Sequence, residues 1–259
     1  MNAFKMCAAA LLLCFAVGAS AASLGDPFNA TGDTLNAFEN SNWQWENEPT
    51  VWDLGKTKPG WLHIKGDGNR NLWDGYTTSH LYQTHEGDFD VETRVILNYQ
   101  PESVVTGLVA YSPTTNDGQG RAGEWVTIKY WGRGGAANNA IIQYQRRQDH
   151  NGADGFVGEV PGFRELPNRD AELFMRFRRV GDAFTAWYKQ TDEANWIEIS
   201  TATQALNDPL RFGIYAGVDA PAGEMVAQYD YLIDNLNPFD VSPEGNLPLA
   251  WASLKQPAD

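Results

Sequence analysis

The amino-acid sequence predicts an all-β protein, built as an antiparallel sandwich or barrel of short strands. Two observations carry this. Apolar and polar residues alternate with period two in segment after segment, and beyond the N-terminal leader no stretch of useful length has a helical period. Between the segments lie clusters of Gly, Asn, Asp and Pro, such as "SPTTNDGQGRAG", "GRGGAANN" and "DHNGADG". These residues break strands and supply turns, so the pattern reads as many strands joined by tight connections.

The elements follow in order. Residues 1–5 form a short basic start, 8–17 an apolar run, and Ala19-Ser20-Ala21 a small-residue cleavage site, the layout of a secretory leader. The apolar run is shorter than the roughly 20 residues that span a bilayer. The expected organisation is a leader over 1–21, a β domain over 22–240 and a tail over 241–259. The expected location is the periplasm or the extracellular medium. Cys7 and Cys14 both lie in the leader, so the remaining chain has no disulfide and must rely on its core. Strands are expected at 61–65, 89–97, 106–111, 125–131, 140–147, 172–179, 183–189, 196–199, 210–216 and 226–233, with 148–169 as a long irregular region.

The net charge is −14, and one unit more negative once Lys5 leaves with the leader. Such a surface repels nucleic acid and anionic membranes, and it mildly disfavours a polyanionic glycan as ligand unless a local basic groove overrides the average. No nucleic-acid partner and no membrane span are therefore expected, and the protein is read as a monomer. Ten Trp, ten Tyr and twelve Phe exceed what a core of this size requires, which leaves some for a ligand.

"LWDGYTTSHLYQTHEGDFDVETRV", "TGLVAYS" and "RRVGDAFTAWYKQ…NWIEI" resemble the concanavalin A-like β-sandwich modules of bacterial secreted proteins. Those at the C-termini of family 43 β-xylosidases are one example. The resemblance implies a two-sheet antiparallel jelly roll of the lectin/glucanase type, with a concave face that meets carbohydrate. It implies that a carbohydrate polymer or oligosaccharide is the partner. Binding, hydrolysis and elimination all remain open, as does a structural or adhesive envelope role.

Candidate site residues come from the strand pattern. In "GDFDVETRV", Asp88, Asp90 and Glu92 share one face, with Arg94 continuing the row, and Phe89, Val91 and Val95 lie on the other. Two carboxyls about 5–5.5 Å apart are what a retaining glycosidase needs, which makes Asp90 and Glu92 catalytic candidates. The same row also fits a solvated, ion-paired face. "EWVTIKYW" puts Trp125, Lys129 and Trp131 on one side, a pattern suited to stacking on sugar rings. Arg94, Arg176 and Trp187 join them as ligand-binding candidates. His150, in a polar loop, is a further catalytic candidate. Arg176 and Arg178 with Tyr144 or Tyr188 and a histidine would suit elimination from a uronate. No cofactor is required. A structural Ca²⁺ is allowed for but unplaced among Asp67, Asp117, Asp154, Asp230 and Asp234.

The leader reading predicts that exported protein begins at Ala22 or Ser23. Intact-mass measurement of secreted material checks this, and a mass that retains residues 1–21 would refute it.

Overall fold

In the computed structural model, residues 23–72, 77–99, 103–116, 122–133, 139–147, 156–165, 171–191, 193–219 and 224–238 are described. The leader, His150 and the tail from 241 fall outside them. Among the described residues there are fourteen strands: β1 Gln44–Glu46, β2 Val51–Leu54, β3 Leu62–Gly66, β4 Ser79–His85, β5 Phe89–Tyr99, β6 Val104–Asn116, β7 Ala122–Arg133, β8 Asn139–Arg147, β9 Phe156–Glu165, β10 Ala171–Val180, β11 Ala183–Gln190, β12 Ile197–Thr203, β13 Leu210–Val218 and β14 Met225–Asp234. Sheet I has the order β12-β11-β10-β5-β14-β3-β2 and sheet II the order β1-β4-β13-β6-β7-β8-β9. All strand pairs are antiparallel. The predicted all-β jelly-roll sandwich is therefore what the chain forms.

Each period-two segment turns its apolar side inward. Along β5, Phe89, Val91, Val95 and Leu97 are buried in the core between the sheets. Along β10 the inward set is Ala171, Leu173, Met175 and Phe177. Phe89 of sheet I meets Phe212 of sheet II with ring centroids 4.4 Å apart, and it packs against Phe177 and Phe184 as well. Two tyrosine hydroxyls bridge the sheets. Tyr144 on β8 donates to the Phe184 carbonyl on β11 (2.8 Å), and Tyr229 on β14 shares a hydrogen bond with Thr106 on β6 (2.6 Å).

The turn before β5 is held from three sides. Gly87 adopts φ +86°, in the left-handed region that glycine tolerates. Its N–H donates to Asp208 (3.2 Å), and Arg179 pairs with the same carboxylate while reaching the Gly87 carbonyl. Asp88 accepts from the Gly181 N–H (2.7 Å) and so fixes the β10–β11 hairpin turn.

The irregular region expected at 148–169 contains β9, a correction to the sequence reading. Its "FVGEVPGFRE" carries Pro161, which cannot donate to a ladder, and β9 accordingly sits at an edge of sheet II. Strands β1, β2 and β4 also escape the period-two reading. β4 is buried on both faces save Thr84, so its sequence does not alternate.

Phe89→Ala removes the ring that joins both sheets. It is expected to cost about 3–5 kcal/mol in urea unfolding, and a loss below about 1 kcal/mol would mean the core is organised elsewhere.

Candidate functional site

The candidate residues divide between the two outer faces of the sandwich. Asp90, Glu92, Arg94, Arg176 and Trp187 lie on the outer face of sheet I, opposite their buried neighbours. Trp125, Lys129 and Trp131 lie on the outer face of sheet II, opposite the core residues Val126, Ile128 and Tyr130. Strand order dictates the split, because β5, β10 and β11 are neighbours in one sheet while β7 belongs to the other. No single face can unite Glu92 or Arg94 with Trp125 and Lys129.

On sheet I the acid row is largely committed. Arg176 grips Asp90 through both oxygens, Nε to Oδ1 at 2.8 Å and Nη2 to Oδ2 at 2.6 Å. Such bidentate pairs are the strong form of ion pair. A nucleophilic role for Asp90 would first require breaking it. Arg94 binds Glu172 and Asp230 (3.1 Å to the latter) and lies 5.1 Å over the Trp61 ring. Glu92 is the least committed acid. Asn235 Nδ2 stands 3.4 Å from both Glu92 and Asp90. Burial pushes the Glu92 carboxyl above its usual range, and Asn235, Arg176 and Lys189 only partly pull it back.

On sheet II, cross-strand register lines up His80, Tyr215, Gly107, Lys129 and Gln143 across five strands. The next row holds Tyr82, Gly213, Val109, Thr127 and Gln145. Gly107 forms the floor between Tyr215 and Lys129. A Cβ there would land on the Ile128 carbonyl oxygen, so no side chain can fill the gap. Thr127 Oγ1 donates to the Tyr215 hydroxyl (3.0 Å), and Lys129 Nζ donates to Gln145 Oε1 (2.6 Å). Lys129 makes no ion pair among the described residues and is only 7% exposed. Burial therefore lowers its ammonium to about 7, with Asp219 opposing weakly. Burial, assisted by the positive charge of Arg211, lowers His80 to about 3, so it is neutral at physiological pH. Arg211 pairs with Glu46 (3.0 Å) and lies over the Tyr82 ring.

Trp125 is 1% exposed, packed with Leu72, Val105, Val109, Tyr111 and Tyr215 in a second apolar cluster. It packs against Tyr215 of the Lys129 row and offers no open stacking face. Its indole N–H has no hydrogen-bond partner among the described residues. Trp131 is partly exposed and donates to Ser103 (2.9 Å). Tyr144 and Tyr188 belong to the core between the sheets, whereas Arg176 is held by Asp90 on the outer face of sheet I, so the elimination set read from the sequence does not assemble. Tyr215, Gln143 and Gln145 belong to the row in its place. "IIQYQRR" shows the two glutamines by alternation, whereas "FGIYAG" around Tyr215 carries no charged residue to mark an outer face and gives no sign.

Among the described residues no group of three or more potential ligands could hold a metal ion. Asp230 serves Arg94, Asp67 accepts from Thr50, and Asp234 accepts from Leu24, Leu236 and Asn237. Asp117 and Asp154 lie outside the described residues. No described helix is long and apolar enough to cross a membrane.

Solved structures share this architecture. The xylan β-1,4-xylosidase of Bacillus halodurans C-125 aligns at 18% identity and a TM-score of 0.55, over 81% of this chain and 38% of its own. The GH43B protein of a Bacteroides ovatus xyloglucan locus aligns at 14% and 0.57, over 83% and 39%. The fold is a concanavalin A-like sandwich. This chain thus spans about two fifths of each of these two proteins, 38% and 39% of their lengths. It matches 98% of alginate lyase Aly36B, at 12% identity and a TM-score of 0.51 over 85% of this chain. No family model and no curated protein sequence matches the chain.

The Lys129 geometry makes a stability prediction. Its folded pKa lies below the unfolded 10.5, so below about pH 7 the folded protein carries a buried ammonium at full cost. Between about 7 and 10.5 only the unfolded chain holds that proton, and stability rises with pH. Lys129→Met should therefore raise the melting temperature at pH 6 by roughly 5 °C, with the gain shrinking toward pH 10. A loss that is the same at every pH would refute the buried-amine account.

Proposed function

We propose that this concanavalin A-like protein, once exported, cleaves a uronate-containing polysaccharide by β-elimination, with the Lys129 row as its centre. The observation that carries the reading is Lys129 itself: an amine without an ion-pair partner, buried, and losing its proton near neutrality. Such a group is a competent general base at pH 7. Lys129 takes the proton on C5, α to the uronate carboxylate. The released electron pair forms the C4–C5 double bond while the C4–O4 bond breaks. The new ammonium then returns its proton to the departing O4, which leaves the base ready for another turn. Gln143 and Gln145 supply amide donors in the same two rows for the carboxylate, where charge builds up in the transition state.

Hydrolysis fits this face less well, because it needs two free carboxyls flanking the bond. The described carboxylates near the row, Glu46 and Asp219, are engaged by Arg211 and Asn71. The match to almost the whole length of an alginate lyase supports a sandwich of this span carrying out such chemistry unaided.

The test is turnover on alginate, polygalacturonate, xylan and a β-glucan, read both as ultraviolet absorbance of unsaturated uronate and as reducing ends. Expected are absorbance from an acidic polymer only, a kcat/KM that rises with pH through about 7, and a loss of at least about 100-fold in Lys129→Met. Reducing ends without absorbance would establish hydrolysis instead. Full activity in Lys129→Met would move the site. Gel retardation with no product from any polymer would favour the glycan-binding alternative.

A further inference from the structure

The outer face of sheet I carries a feature that elimination at Lys129 does not use. Cations and aromatic rings alternate across it without interruption. Lys58 Nζ lies 3.2 Å from the centroid of Trp61, and Arg94 Cζ lies 5.1 Å from Trp61 and 5.9 Å from Phe174. Lys189 Nζ then lies 4.8 Å from Phe174 and 5.0 Å from Trp196. The six side chains run from the β3 end over β5, β10 and β11 to the segment before β12, crossing β14 on the way. At about 4.8 Å per strand that is a track of roughly 20 Å.

Two properties say what the track fits. Phe174 and Trp196 are partly exposed, and sugar rings stack on such surfaces through their C–H faces. Of the three cations, only Arg94 is neutralised, by Glu172 and Asp230. Lys58 and Lys189 form no ion pair among the described residues, in a chain whose net charge is −14. Unpaired positive charge beside aromatic surface on an otherwise acidic protein is complementary to a polyanion with sugar rings. The acidic remainder of the surface argues against nucleic acid, whose binding rests on wide phosphate neutralisation.

We infer that the outer face of sheet I is a second polysaccharide-binding surface. It holds a stretch of acidic glycan across β5, β10 and β11, on the side of the sandwich opposite Lys129. The choice of an acidic glycan agrees with the elimination reading, but the surface itself stands on the sheet I geometry alone.

Affinity electrophoresis in gels containing alginate or xylan tests this, with Lys129→Met as the background so that no polymer is consumed. The double variant Phe174→Ala/Lys189→Ala should lose about tenfold in alginate affinity, from the combined loss of a ring and a cation. Lys56→Ala, which removes an exposed charge that is paired with Asp33 and is not one of the six side chains, should migrate as the background does. Retained far-ultraviolet circular dichroism shows that the variants are folded. Equal weakening by Lys56→Ala would reduce the effect to net charge and overturn the surface, as would unchanged affinity in the double variant. If unsaturated product forms with native protein yet the double variant binds normally, this surface fails and elimination stands. If no product forms yet the double variant loses retardation, the reverse holds.

Discussion

Everything about where chemistry can sit on this molecule depends on one contact, the packing of Phe89 against Phe212 across the sandwich. Because Phe89 must face the opposite sheet, Asp90, Glu92 and Arg94 must face away from it, since side chains alternate along a strand. The same rule, applied to Val126 and Ile128, sends Trp125 and Lys129 outward from the other sheet. The aromatic core thus does more than exclude water. It assigns every polar strand residue to one of two surfaces that cannot reach one another.

The two surfaces handle charge in opposite ways. Sheet I pairs most of its ions in place: Asp90 with Arg176, and Arg94 with Glu172 and Asp230. Each acid here has a guanidinium within hydrogen-bond reach. Sheet II buries His80 and Lys129 away from water, and burial makes both easy to deprotonate; Lys129 has no ion pair among the described residues to hold its proton. Polar groups kept under such conditions weaken the fold, and the glutamine hydrogen bond to Lys129 recovers only part of what burial takes.

Much of the fold is legible in the sequence. β5, β7, β8, β10 and β11 alternate cleanly because one face of each is core and the other is polar. The exceptions have physical causes. β4 and β13 are covered on both sides, so His80 and Tyr215 give no periodic sign of the face they occupy. Pro161 hides β9. The site is harder to read for a different reason. Alternation tells which side of a strand a residue takes, but nothing local tells which sheet the strand joins. Glu92 and Trp125 therefore look compatible until β5 pairs with β10 and β14, and β7 with β6 and β8.

The two tyrosine bridges bear on uniqueness more than on strength. Apolar packing has no direction, and two layers of Phe, Leu and Val could settle at several relative offsets with similar burial. The hydroxyls of Tyr144 and Tyr229 each reach one specific oxygen on the facing sheet. Sliding the layers by a single residue would strand both hydroxyls in a dry interior. They act as rivets that select one alignment of the layers, and with it one pattern of side chains on each outer face.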